Sequence, residues 1–218
     1  MFREILALLR KELMIEWKQK YALNGLLLYV LSMVVVISVP LAGRMNVKTW
    51  NILFWIILLF VSINAVAKSF MSERKGSLLY LYSLASPTSI ILAKMIYNGL
   101  LLTLIGWVTL IAYAFLSGIT IANWPLMIGI VAAGSLTLAC NLTLVSAIAA
   151  KAENRTTLLA VLSFPLIVPS LLVLIDLAEN AIEGLDISLE IRSLGLLAGM
   201  VVALTGVSII LFPFVWRD

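Results

Sequence analysis

The chain has 218 residues, 63% of them hydrophobic and only 12% charged, with a mean hydropathy of +1.13; soluble domains are about 45–50% apolar and about 25% charged. So few charges cannot cover the surface of a water-soluble domain of this length, which excludes that class. With no histidine, one cysteine and no GxxxxGK[ST], the chain has no imidazole for zinc, heme or acid–base work, no disulfide or CxxC pair and no P-loop of its own.

In chain order, residues 1–21 come first. Phe2, Leu6, Leu9, Leu13 and Trp17 recur at spacings of three and four, with Arg3, Arg10, Lys11 and Lys18 elsewhere on the wheel. This is an amphipathic helix, lying on the inner leaflet with its basic side chains toward anionic headgroups or docked on a protein partner. A helix crossing the ~30 Å hydrocarbon core needs about 20 mostly apolar residues, so the gaps between charges give the spans. The first two fall at about 23–42 and 49–67. The first lacks a following A-x-A-like site and is expected to persist as a helix rather than be cleaved.

A loop over 68–94 follows. Within it a charged triplet, Glu73-Arg74-Lys75, precedes Gly76, Leu78, Leu81 and Tyr82 and ends at Pro87. The pattern describes a short surface helix, charges toward the cytosol and Leu78, Leu81 and Tyr82 toward the spans, stopped before the proline. A plain solvated connector is the alternative, although a loop of this length is often functional.

Residues 95–150 carry no formal charge, and the Gly-, Asn- and Pro-containing stretch 117–125 divides them into spans at about 95–116 and 126–150. The fifth span, about 156–175, contains Pro165 and Pro169. Each removes a backbone donor, so the helix is expected to kink or break there, as a hinge, a cavity wall or a static bend. An outer acidic loop, 176–192, leads to the sixth span at 193–216. There Gly195, Gly199 and Ala203 form a stripe suited to close helix packing, within the chain or against another copy. Asn64, Asn98, Asn141 and Thr143 read as polar glue between helices. No charge pair is expected inside the membrane, which argues against an ion-coupled carrier.

Six spans place both termini on one side. With the N-terminus cytoplasmic, that side holds Arg3, Arg10, Lys11, Lys18, Lys20, Lys68, Arg74, Lys75, Lys94, Lys151, Arg155 and Arg217, leaving Arg44, Lys48 and Arg192 outside. The split predicts both termini inside. The net charge of +4 then reads as this cytoplasmic bias and not as a nucleic-acid surface. The fold class is an all-α integral membrane protein, a single domain over 1–218. No catalytic, metal or cofactor-binding residue is expected in it, because a nucleophile–base pair is not available without histidine.

The blocks Lys11-Glu12-Leu13, Glu16 to Gly25, Leu53 to Phe60, Asn64 to Phe70 and Lys94 to Asn98 resemble the heme exporter protein B family, CcmB, permease subunits of the cytochrome c maturation transporter. The pattern of Glu73, Gly76, Leu78, Pro87 and Lys94 is similar to the wider class of ABC-2 export permeases, in which that loop docks on the ATPase. The resemblance implies an inner-membrane subunit, acting as a homodimer, with a cytoplasmic ABC ATPase, a heme-handling membrane partner and a periplasmic heme chaperone. ATP then belongs to the partner subunit and heme to partner proteins, and ATP hydrolysis drives release of the heme-loaded chaperone. Two other functions fit the residues: an ABC-2 permease exporting a lipid or other amphiphile, and a scaffold that releases the chaperone mechanically and passes no substrate.

Overall fold

The computed structural model describes residues 2–18, 20–41, 43–71, 86–149, 155–184 and 191–217. These residues form seven helices: α1 (Phe2–Lys18), α2 (Lys20–Leu41), α3 (Val47–Met71), α4 (Pro87–Ser117), α5 (Trp124–Ala149), α6 (Arg155–Glu183) and α7 (Ile191–Arg217). Six of them, α2 to α7, are long and apolar enough to cross a membrane. In hydrocarbon every backbone polar group must find its partner within the segment, which is why the apolar stretches are helical from end to end.

The helix ends are built from side chains able to satisfy the unpaired terminal groups. Asn46 begins α3, its Oδ1 accepting the Thr49 N–H at 2.7 Å. Ser86 begins α4, its hydroxyl accepting the Ser89 N–H, with Pro87 in the first helical position. Asn123 begins α5 by accepting the Leu126 N–H at 3.1 Å. Gly118 ends α4 in the left-handed region at φ 72°, a conformation that suits glycine.

Helix α5 is the hub. It packs on α3, α4, α6 and α7, and 72% of its membrane-crossing window is buried, against 11% in α7. The larger core gathers Trp50, Phe54 and Trp55 of α3 with Tyr113 of α4. Trp50 stacks on Tyr113 at 4.9 Å between centroids and donates its indole N–H to Ser117 Oγ at 2.7 Å. Asn51 ties α3 to α6 through Nδ2–H to the Ile175 carbonyl at 2.6 Å. A smaller core at the other end joins Ile90, Ile91 and Met95 of α4 to Cys140 and Leu144 of α5 and Phe212 of α7, with Leu8 of α1 packed against it.

Two boundaries differ from the sequence expectation. The third crossing helix begins at Pro87 rather than at 95, so Lys94 lies inside a helix and not in a loop. The fifth runs on to Glu183, and Asp176, Glu179 and Glu183 are helical instead of lying in an outer loop. Gly184, at φ 78°, supplies the later stop. The Ala122 and Asn123 N–H groups donate to the Ile182 and Ala181 carbonyls at 3.1 and 3.0 Å, satisfying the extended helix end.

Candidate functional site

Three carboxylates spaced along α1 meet Ser86, the cap of α4, and two residues within α4. Glu4 Oε2 accepts the Ser86 hydroxyl at 3.1 Å and the Ser86 N–H at 3.5 Å. The Glu12 carboxylate lies 3.9 Å from the Lys94 ammonium, and Glu16 Oε2 accepts the Tyr97 hydroxyl at 2.9 Å. The residue offsets are 86 − 4 = 82, 94 − 12 = 82 and 97 − 16 = 81. An offset that changes by only one residue over some three turns requires the two helices to run side by side in the same direction. Leu8 fills the middle of this ladder with apolar contact.

The amphipathic N-terminal helix therefore docks within its own chain, and through its acidic face. The apolar face singled out by the sequence remains outward: Phe2, Leu6 and Leu13 are 80%, 60% and 53% exposed. Lys94 is 2% exposed, so the fold holds a buried charge pair at the position where the sequence reading puts the end of a loop. Removing such an ammonium from water is tolerable only with an anionic partner. Glu12 supplies it from an element 82 positions away. The Glu4 carboxyl is held below the usual carboxylate range, chiefly by the Ser89 hydroxyl and then by the hydroxyl and N–H of Ser86.

Beyond the ladder a polar track enters the α4–α5 interface. Asn98 donates from Nδ2 to Thr143 Oγ1 at 2.9 Å, and Asn141 donates to the Thr137 carbonyl at 3.1 Å. Asn98 Oδ1, Asn141 Oδ1 and Ser146 Oγ are buried without a protein partner. Lone buried acceptors of this kind are normally met by water.

Of the residues selected from the sequence, Glu73, Arg74, Lys75, Gly76, Leu78 and Leu81 lie outside the described residues, and Pro87 is the first residue of α4. Pro165 and Pro169 both sit within α6, which is continuous from Arg155 to Glu183, on its exposed side. Ser170, one residue on, is 1% exposed and donates to the Leu166 carbonyl at 3.4 Å. Gly195, Gly199 and Ala203 lie together on an exposed face of α7, and a Cβ added at either glycine meets nothing within 4 Å. The close helix approaches lie elsewhere. A Cβ at Gly106 of α4 would come within 2.9 Å of Ser135 and Val131, and one at Gly134 of α5 within 2.5 Å of the Trp55 ring. Neither belongs to a GxxxG pair; the seven-residue interval between Gly99 and Gly106, both facing α5, is the sequence signal that could have found this seam.

Six apolar helices around a central α5, with a docked amphipathic helix at one end and no group of three or more metal-binding side chains among the described residues, define a multi-pass all-α membrane protein. The CcmB protein family model matches residues 3–216, nearly the whole chain. The chain belongs to this family, the heme exporter protein B family. It is thus a permease component of the heme exporter of cytochrome c maturation, a multi-pass protein of the bacterial inner membrane and not itself a catalyst. It belongs to a heme exporter complex with other components of that system. No curated protein sequence matches it.

Proposed function

We propose that this chain converts the closure of a cytoplasmic ABC ATPase into movement of the membrane helices, through residues 73–86 and the α1–α4 ladder. The observation that carries the reading is the ladder itself. Ser86, the last residue of that segment and the cap of α4, is also the residue that binds Glu4. A displacement of the segment would move α4 from its first turn and take α1 with it. Through α4 it reaches α5, the helix on which most others pack. A chain with no P-loop needs such a partner, and the basic residues on the side of the termini support a cytoplasmic orientation.

In this reading two copies act together, the open face of α7 offering a surface for the second. ATP resides on the ATPase subunit and heme on a membrane partner and a periplasmic chaperone. A mechanical role, in which the motion releases the heme-loaded chaperone and nothing crosses this chain, is favoured by the close α4–α5 contact at Gly106. A seam where one added methyl meets atoms at 2.9 Å leaves no passage there for a macrocycle.

Deleting the gene and staining for covalent heme tests the pathway: c-type cytochromes are expected to disappear. Normal cytochromes would point instead to an exporter of lipid or another amphiphile. Co-purification with a tagged ATPase tests the partner. The substitutions Glu73→Ala and Arg74→Ala test the coupling segment, and unchanged ATPase coupling in that double variant would remove it from the mechanism.

A further inference from the structure

The α1–α4 ladder sorts the charges of α1 by face. Glu4, Glu12 and Glu16 all turn onto α4, so the outward side retains cations and apolar groups. Arg3 and Arg10 are exposed, seven residues and therefore about 10 Å apart along the helix. Beside them stand Phe2, Leu6 and Leu13, with Met14 at 48% exposed. An open groove of about 600 Å³ runs along this face, its lining including Arg3, Leu6, Arg10, Lys11 and Met14. Lys11 stays near the ladder, 3.7 Å from Glu12.

The height of α1 in the membrane follows from its neighbour. Helix α4 has 31 residues, about 46 Å at 1.5 Å per residue, against a hydrocarbon core of ~30 Å. Its first turns therefore extend to the headgroup level or beyond, and α1 lies alongside them. A helix at that level with arginines next to uncovered apolar side chains, and no acid on the same face, has the chemistry of an anionic-lipid binder.

We propose that the outward face of α1 is a binding site for anionic phospholipid, with Arg3 and Arg10 at successive depths in the headgroup layer, on the phosphates, and Leu13 and Met14, farther along α4 toward the bilayer centre, among the upper acyl carbons. The site does not depend on the coupling role, because lipid binding is read on the isolated full-length chain without ATPase or heme. The test is thermal melting of that chain in neutral detergent with added phosphatidylglycerol or phosphatidylcholine. Wild type is expected to gain several degrees more from phosphatidylglycerol. Arg3→Gln with Arg10→Gln should lose that difference, and Arg3→Lys with Arg10→Lys should keep most of it.

An equal response of the glutamine variant and wild type would overturn the proposal. So would the full shift produced by glycerol phosphate alone, which would identify a site for free phosphate. Loss of ATPase co-purification in the glutamine variant with its lipid response intact would also overturn it, assigning the face to a protein partner. As a measurement free of substitutions, native mass spectrometry of wild type in an equimolar mixture of the two lipids should show several-fold more phosphatidylglycerol retained. Equal retention would count against the site.

Discussion

The Lys94 ammonium lies 3.9 Å from the Glu12 carboxylate, with the lysine side chain 3% and the glutamate side chain 15% exposed. The two residues share the register set by Ser86 with Glu4 and Tyr97 with Glu16. Breaking the pair should be asymmetric. Glu12→Ala removes a carboxylate 3.9 Å from a buried ammonium and is expected to cost about 3 kcal/mol. Lys94→Met leaves an apolar chain of similar length facing a partly wet carboxylate, and should cost less than half as much. Equilibrium unfolding of both single variants and the double variant measures the difference; equal losses would mean that the pair is solvated.

Gly134 lets α5 lie against the face of Trp55. A Cβ there would stand 2.5 and 2.6 Å from two ring carbons and 2.9 Å from Leu174 Cδ2, and Trp55 is fully buried. Gly134→Ala should therefore destabilise by about 1–3 kcal/mol through overpacking. Gly129, in the same helix, has nothing within 4 Å of an added Cβ. Gly129→Ala should be neutral or stabilising by up to about 1 kcal/mol. Melting temperatures of the two variants in one detergent check the contrast.

The pH dependence of α1 docking follows from Glu4. Its carboxyl is held low by the hydroxyls of Ser89 and Ser86 and the Ser86 N–H. A carboxylate whose pKa is lower when docked supports docking above its free value of 4.5 and loses that support as pH falls through the docked value. Protection factors of the α1 amides, that is, exchange rates taken relative to the intrinsic rate at each pH, should fall below about pH 4.5, and Glu4→Gln should flatten that dependence. Protection that stays constant or rises as the pH falls would contradict the assignment.

The spans were legible because each gap between charges is long and apolar, and the chain has few charges to confuse the count. The same logic does not show that the third helix begins before its uncharged stretch, at Pro87. A lysine ordinarily ends a span, and nothing near Lys94 reveals that an acid 82 positions earlier will neutralise it. Acidic residues likewise suggested a loop from 176 onward, while the helix stop is set by Gly184 and by backbone donors from residues 122 and 123. The periodicity of α1 is plain in the sequence, but the conspicuous stripe is the apolar one, and the stripe that docks is acidic. The small-residue stripe of α7 has the spacing of a packing motif and faces open space, because packing depends on which side of a helix its neighbours occupy. The glycines at the tight crossings, Gly106 and Gly134, carry no such spacing.

In the proposed mechanism the α1–α4 ladder transmits force from the ATPase to the membrane helices. Its most direct test is ATP-driven release of the heme-loaded chaperone from the purified complex carrying Glu4→Lys, Glu12→Lys and Glu16→Lys. Detachment of α1 is verified by maleimide labelling at Leu8→Cys, a position packed against the inner core when docked. With α1 detached, ATP hydrolysis should continue while release slows by about tenfold or more, a loss of at least about 1.4 kcal/mol in coupling. Release at the wild-type rate with α1 demonstrably detached would contradict the claim.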